Sequence, residues 1–454
     1  MGFIDRIQIN KSLRFLDEAT GKSYAYQNLP NLSWQTNEKS LVFCYLNNSI
    51  ESVSFLIKAF ESQHVLVLLS SALPENLKCA LESNYRPNYI YDPLRSTISG
   101  YNFDCTSLHV RNVYSNHNLH ENLRVLLSTS GTTGSPKFVK LSESNLLANA
   151  ESISSYLPIL ASDIVPLNLP IHYSYGLSIL TSNALNGATL IAGVQDVMSK
   201  GFWDNFEKYQ YSTIAGVPYV YEMLDRIGFT KMNLPSLRYF TQAGGKLREN
   251  LVKKYAEFAC EHKKLFYVMY GQTEATARMS YLHPNDLLGH VGSIGKPIPG
   301  GIFVINEENS ELQYKGPNVF GGYAECVDDL NTYESPALLS TGDLATVDEE
   351  GFYYIIGRSK RFVKIFGNRI NLDELESGLS KRFGAFYPCV GWHDKSVLIF
   401  STKSNDDQSE IVQWLSIQYK LHPTSFKLST IDNLPLTANG KPDYKFLLSE
   451  YEAR

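Results

Sequence analysis

Residues 123–140 read LRVLLSTSGTTGSPKFVK. An apolar run of strand length, LRVLLS at 123–128, empties into a loop of hydroxyl residues, two glycines and one lysine. A loop of this kind at a strand exit is a natural cradle for phosphate. Gly131 and Gly134 let backbone N–H groups approach an anion, the hydroxyls of Thr129, Ser130, Thr132 and Thr133 donate, and Lys137 adds charge. The composition also suits a plain Ser/Thr/Gly-rich surface turn. The GxxxxGK[ST] nucleotide loop fails on spacing, because Ser135 and Pro136 separate Gly134 from Lys137.

Outward from this loop, β-branched or apolar runs alternate with helical patterns from residue 40 to residue 270. LVFCYL (41–46) precedes a helix with Val53, Leu56, Ile57 and Phe60 on one stripe; VLVLL (65–69), a helix from Pro74 and YIYD follow. Later runs are ATLIAG (188–193), STIAGV (212–217), LRYFTQ (237–242) and LFYVMY (265–270), with a helix at 246–260. Such alternation predicts an α/β fold of mostly parallel sheets wrapped by helices, with ligands gathering at the carboxyl ends of the strands. After residue 290, short strands punctuated by Gly and Pro (VGSIGKPIPGG, KGPNVFGGY) predict a smaller β-rich subdomain, and LATV–DEEG–FYYII a hairpin. A final segment of mixed helices and strands begins at GRSKRFVK. The expected domains are therefore a large N-terminal one at 1–359 and a small, mobile α+β one at 360–454.

Composition removes several classes of function. The 454 residues carry 41 Lys plus Arg against 46 Asp plus Glu, a net charge of −5, so no global basic field exists to hold nucleic acid or an anionic membrane. Hydrophobic residues at 43% and aromatics at 12% are ample for sizeable cores. Six scattered cysteines without a CxxC pair argue against a disulfide framework or a zinc site. The N-terminus lacks an apolar signal core, Arg6 breaks the myristoylation pattern, and no run approaches the ~18 apolar residues of a membrane span. The expectation is a cytoplasmic protein with no membrane span and no nucleic-acid partner.

Further constellations carry chemistry. YGQTE (270–274) ends a strand with a ring, a hydroxyl and a carboxylate, which together can stack a base, hold a phosphate and ligate a hard cation such as Mg²⁺. Tyr270 taken alone is equally a core aromatic. Asp343 and Arg358 bracket the hairpin; if Val347 faces Phe352, Asp343 lies opposite residue 356 and Arg358 sits two residues beyond. The pair suits a salt bridge or the binding of vicinal hydroxyls. In TQAGGK (241–246), Gly244 and Gly245 permit close approach to a flat ligand or simply make a strand–helix turn. In NLDELE, Asn371 caps a helix and Glu374 returns the bond, a structural role.

These motifs, in this order, resemble the adenylate-forming superfamily of acyl-CoA synthetases, luciferases and nonribosomal peptide adenylation domains. STSGTTGSPK resembles its phosphate loop, YGQTEAT its YGxTE element, STGDL (340–344) its TGD element, GRSKRFVKIFGNRINLDELE (357–376) its hinge segment and PLTANGK (435–441) its lysine loop. The resemblance covers essentially the whole chain. It implies AMP-forming activation of a carboxylic acid through an acyl-adenylate, then transfer to the pantetheine thiol of coenzyme A. The alternatives are loading of a carrier protein's phosphopantetheine, or a catalytically silent nucleotide-binding homologue.

The resemblance also implies roles for single residues. Tyr270, Gly271, Gln272, Gly244 and Gly245 surround the adenine, Thr273 meets the α-phosphate, Glu274 holds Mg²⁺, and Asp343 with Arg358 hold the ribose. Residues 129–134 and Lys137 hold the phosphates. His172, Tyr175, Gly216 and Gln242 line the acyl pocket, although a lone histidine such as His172 also suits a structural role. Amino-acid-activating members place an Asp in the segment matching PIHYSYGL (170–177), and its absence favours an acid without an α-amino group. Lys441 is the catalytic lysine, Lys360 the hinge and Gly367 the wall of a thiol channel. Arg361 departs from the family's acidic pair, and Pro442, Asp443 and Tyr444 replace the Asp-Arg that follows the lysine elsewhere.

Overall fold

The computed structural model describes residues 2–103, 107–128, 137–359, 361–365, 368–393, 396–403, 408–437 and 441–453. Its first strand of the phosphate-loop sheet, Leu41–Leu46, is buried at every position, which is why its sequence is apolar without alternation. The helix Ile50–Ala59 that follows starts where the Ser49 hydroxyl accepts from the Ser52 N–H, and it buries Val53, Leu56 and Ile57 completely. Strands Val125–Ser128, Val65–Ser70, Leu41–Leu46 and Tyr89–Tyr91 lie side by side and parallel. Antiparallel strands extend both edges to eight in all, with Phe138–Leu141 and then Tyr323–Ala324 beyond Val125–Ser128.

A second sheet places Thr213–Gly216, Tyr239–Gln242 and Leu265–Tyr270 in parallel, then Ser280–Leu282 and Lys296–Pro297 antiparallel. A third, of four strands, includes Ile164–Pro166, Thr189–Ala192 and Arg14–Asp17 in parallel. The expected strand–helix alternation is therefore present. The helix expected from residue 246 begins at Glu249, with Leu247 buried just ahead of it. No described helix is long and apolar enough to cross a membrane.

Contacts divide the chain into two compact units, 1–302 with 314–339, and 303–313 with 340–454. Two features differ from the sequence expectation. The KGPNVFGGY segment belongs to the larger unit, because Tyr323 pairs with Val139 at the edge of the phosphate-loop sheet. The four-stranded sheet containing Leu339–Val347 and Tyr353–Arg358 groups mostly with the C-terminal residues. Helix Leu372–Phe383 packs on the second of these strands, so closely that a Cβ on Gly357 would come within 1.9 Å of Asn371 Nδ2. Asn371 caps that helix as expected, accepting from the N–H groups of Asp373 and Glu374. The return bond from Glu374 is absent among the described contacts.

The hairpin register also differs from expectation. Val347 faces Tyr353 rather than Phe352, and an irregularity between Leu344 and Ala345 leaves Ile356 unpaired, which brings Asp343 directly opposite Arg358.

Arg361 organises the C-terminal residues. Its guanidinium donates to Glu376 at 2.8 Å, to the Cys389 carbonyl at 2.8 Å and to Tyr444 Oη at 3.0 Å, and it pairs with Asp373. It lies 3.9 Å from the centre of the Tyr444 ring. One side chain thereby joins the start of the segment, helix Leu372–Phe383, strand Cys389–Trp392 and the last helix, Tyr444–Glu452. Glu376 is buried, so Arg361→Met strands a carboxylate away from water and is expected to cost about 3 kcal/mol of unfolding free energy. Denaturant unfolding measures the loss, and adding Glu376→Leu should recover part of it. A single variant as stable as wild type contradicts the anchoring role.

Candidate active site

The loop 129–136 lies outside the described residues, but its two ends are fixed. Ser128 and Phe138 are paired across antiparallel strands, so the loop bridges adjacent strands of the large sheet. At its exit, Lys137 Nζ sits 4.0 Å above the centre of the Tyr323 ring and 3.2 Å from a Glu325 carboxylate oxygen. The hydroxyl of the same Tyr323 donates to Glu274 Oε1 at 2.9 Å. Burial, and next the neighbouring Glu274 charge, push the Tyr323 hydroxyl well above the ordinary tyrosine value, so it remains a donor. The half-buried Glu274 keeps Oε2 without a partner among the described residues. One tyrosine thus joins the base of the glycine-rich loop to the carboxylate expected to hold magnesium.

Glu274 reaches this place through a short turn. Strand Leu265–Tyr270 ends in a half-buried Tyr270, so its ring is not a fully enclosed core aromatic. A single 3-10 turn, Thr273–Ala275, follows. The chain then reverses at Thr276 and Ala277, with φ of 54° and 111°, and returns antiparallel, Tyr270 pairing with Ser280. The return passes so close to Gly271 that a Cβ there would lie 1.7 Å from the Ala277 carbonyl oxygen. Positive φ at two successive residues with side chains is strained, by about 1–3 kcal/mol each.

Asn318 offsets that strain. Its buried Nδ2 donates to the carbonyls of Ala275 and Arg278, both at 2.7 Å, and its carbonyl accepts from the Thr276 hydroxyl at 2.7 Å. Its Oδ1 accepts from Tyr314 Oη at 2.9 Å.

The helix Ser174–Leu185 presents its first turn to the same place. Ser174 Oγ lies 3.3 Å from Thr273 Oγ1. Tyr173 precedes that helix, and its hydroxyl would sit 3.5 Å from a Cβ placed on Gly244. Gln242 is buried and donates to the Gly245 carbonyl at 2.8 Å, so its amide shapes the Gly244–Gly245 turn. Gly216 pairs with Gln242 and leaves room for the Tyr221 ring, which a Cβ would meet at 2.8 Å. Tyr175 is 2% exposed; its hydroxyl meets Thr241 Oγ1 at 2.8 Å, and its ring borders a cavity of about 20 Å³. Burial lowers the His172 pKa to about 4, leaving a neutral imidazole whose buried Nδ1 has no hydrogen-bond partner.

The structure brings together Lys137, Thr273 and Glu274 with Ser174 and Tyr323, and sets the Gly244–Gly245 turn beside Tyr173. Tyr270, Gly271 and Gln272 lead directly into Thr273, and Gln242 and Gly216 adjoin the Gly244–Gly245 turn. Asp343 and Arg358 form an ion pair, Nε to Oδ1 at 3.0 Å, within the smaller unit. The carbonyl of Lys441, in the same unit, accepts from the Thr437 N–H at 2.7 Å. Lys360 and Gly367 lie outside the described residues. Sequence reasoning missed Ser174, Asn318 and Tyr323. Asn318 and Tyr323 stand inside KGPNVFGGY, whose glycines mark close backbone approach, but no local pattern signals their partners.

Asn318→Ala leaves two buried carbonyls without their donor and removes the Tyr314 acceptor, at roughly 1–3 kcal/mol for each buried group. The expected loss is about 3 kcal/mol or more in urea unfolding. Asn318→Asp, which keeps only the acceptor for Tyr314, should be nearly as damaging. Wild-type stability in both variants would show that the reversal at 276–277 holds itself.

Residues 40–324 match the family model described as AMP-binding enzyme. The chain is 24% identical over 421 residues to the 2-succinylbenzoate–CoA ligase of Staphylococcus epidermidis, covering 89% of this chain and 87% of that protein. It is 30% identical over 346 residues to a long-chain-fatty-acid–CoA ligase of Escherichia coli, covering 71% and 60%. Among solved structures, the o-succinylbenzoate CoA synthetase of Bacillus subtilis bound to its acyl-adenylate intermediate superposes with a TM-score of 0.75 at 20% identity, over 98% of this chain and 97% of that one. The same synthetase is also known in complex with ATP and magnesium ion. With the family model spanning well over half of its length, this chain is an AMP-binding enzyme of the adenylate-forming superfamily.

Proposed function

We propose that the chain is an AMP-forming acid–thiol ligase, which joins a small carboxylic acid to the pantetheine thiol of coenzyme A at the expense of ATP. The observation that carries this reading is the line from Lys137 through Tyr323 to Glu274, with Thr273 and Ser174 beside it. It supplies a cation, a carboxylate and two hydroxyls at the carboxyl ends of parallel strands, where a triphosphate and an acid can meet. Coenzyme A is preferred to a carrier protein as acceptor because the relatives above are named as CoA ligases.

In the first half-reaction a carboxylate oxygen attacks the α-phosphorus of ATP, the bond to the β-phosphate oxygen breaks, and pyrophosphate leaves. Two anions must approach, so the residues contribute charge neutralisation and alignment more than acid or base. The oxygen-only donor set around Glu274 fits magnesium, which takes one or two carboxylates together with substrate phosphate oxygens. When bound there it neutralises charge on the leaving pyrophosphate. Tyr323 fixes one carboxylate oxygen and leaves the other available. Thr273 and Ser174 offer hydroxyl donors to the α-phosphate, Lys137 adds charge at the exit of the phosphate loop, and the Tyr270 ring and the Gly244–Gly245 turn flank the adenine. Asp343 and Arg358 hold the ribose, and Lys441 bridges the reacting carboxylate and phosphate.

In the second half-reaction the thiolate attacks the acyl carbon, AMP leaves and the thioester forms. Lys441 withdraws by a swing about Lys360, and the thiol passes Gly367. In this reading Arg361, anchored to Glu376 and Tyr444, moves with the C-terminal segment.

Carboxylate-dependent pyrophosphate release, with AMP and a thioester identified by mass spectrometry, tests the whole reading. Within it, Lys441→Ala should slow adenylation by about a hundredfold or more and scarcely alter thioester formation from pre-made acyl-adenylate. Glu274→Gln should slow adenylation to a similar degree and shift the magnesium requirement upward. Equal loss in both half-reactions for Lys441→Ala would contradict domain alternation.

A further inference from the structure

Two arginines are buried among the described residues, and their surroundings differ. Arg124 donates to the carbonyls of Phe60 and His64, both at 2.6 Å, so backbone takes two of its donors although its Nε, like that of Arg278, has no partner. Arg278, 3% exposed, has no carboxylate within 4.0 Å among the described residues and no hydrogen-bond partner for Nε. What it has is a ring and a hydroxyl: its guanidinium carbon stands 4.1 Å from the centre of Tyr175, and its side chain shares a hydrogen bond with the buried Tyr156. A guanidinium cannot shed its proton to escape burial, and a buried charge is ordinarily paired. A cation–π contact compensates only partly.

The guanidinium borders the cavity of about 20 Å³ beneath the strand ends, room for about one water. Its lining is mixed: the hydroxyl residues Tyr175, Ser178, Ser182 and Thr241 stand among apolar ones such as Leu157 and Met269, with no carboxylate. Ser174, which meets Thr273 at the reacting level, lies on the same helix as Ser178 and Ser182. At 1.5 Å rise per residue the cavity is therefore one to two turns deeper, roughly 6–12 Å from the reacting carboxylate.

We infer that Arg278 is a specificity-determining residue that pairs with a second anionic group on the acid substrate, a carboxylate entering this cavity. The inference rests on the acid-activating reading and names its substrate class: short dicarboxylic acids, aliphatic or aromatic, whose second charge lies several carbons from the first. The strained reversal at 276–277 and the Asn318 clamp then have a purpose beyond presenting Glu274, because they direct the next side chain inward. A long apolar acid would set hydrocarbon against the Arg278 charge and leave that charge unpaired.

The test measures pyrophosphate release by the full chain with succinate, glutarate, adipate and phthalate, each against its monoamide. The monoamide keeps the size and removes the second charge. At least one dianion should exceed its monoamide about a hundredfold in kcat/KM. Arg278→Met, close in volume, should bring that ratio near one by raising the KM for the dianion while the KM for ATP stays the same, and Arg278→Lys should retain part of the preference. Equal use of dianions and monoamides by wild type, or an unchanged ratio in Arg278→Met, overturns the inference and leaves the ligase reading standing. If no acid of either kind releases pyrophosphate, the ligase reading falls. Thermal stabilisation by the dianions then decides the inference alone, supported if wild type responds and Arg278→Met does not, overturned if both or neither respond.

Discussion

The reversal at Thr276 and Ala277 is the constraint on which the site depends. Two residues with side chains hold positive φ in succession, a conformation the backbone adopts only when its surroundings insist. The insistence comes from Asn318, whose amide spans the turn between two carbonyls, and from the missing side chain of Gly271. Before the reversal lie Thr273 and Glu274, at the strand ends; after it comes Arg278, in the interior. A relaxed turn would not separate Arg278 from that pair so sharply. The polar chemistry at the surface of the site and the charge beneath it are products of one local distortion.

Tyr323 is the second joint. Its backbone pairs with Val139, its ring lies under Lys137 and its hydroxyl holds Glu274. Each contact restricts the others: the register fixes the ring, and the ring fixes where the hydroxyl points. Lys137 is additionally paired with Glu325, so the cation at the exit of the glycine-rich loop is held before any phosphate arrives. Preorganised charge of this kind lowers the reorganisation that the reaction itself would otherwise require.

The fold was legible wherever the signal was local. LVFCYL, VLVLL and LFYVMY are strands because each is apolar throughout and bounded by turn residues, and the stripe Val53, Leu56, Ile57 is a buried helix face. The phosphate loop and YGQTE were legible because a few residue types at fixed spacing carry the chemistry. What was not legible depended on distant partners. KGPNVFGGY has the texture of a small β subdomain, and only its pairing with the strand after the phosphate loop returns it to the large unit. The hairpin failed differently: a one-residue shift at the turn and one unpaired residue add to a two-residue error in register, and neither leaves a mark in the apolar alternation. Arg278 could not be read either. A single arginine four residues past a glutamate looks like a surface charge until burial is known.

That register also bears on the ribose. Asp343 and Arg358 stand directly opposite one another and are ion-paired, which satisfies the simpler of the two readings that the sequence leaves open. The two members are unequal, however: the Asp343 side chain is 9% exposed and the Arg358 side chain 57%. An ion pair with one member in water contributes little, because solvent screens it and the long side chain gives up freedom to hold it. Letting it rearrange therefore costs little as well. The carboxylate stays buried in either case and needs donors, which vicinal hydroxyls provide as readily as a guanidinium does. The salt bridge and the proposed ribose site are thus two occupancies of the same acceptor, and the exposed arginine is the partner able to move.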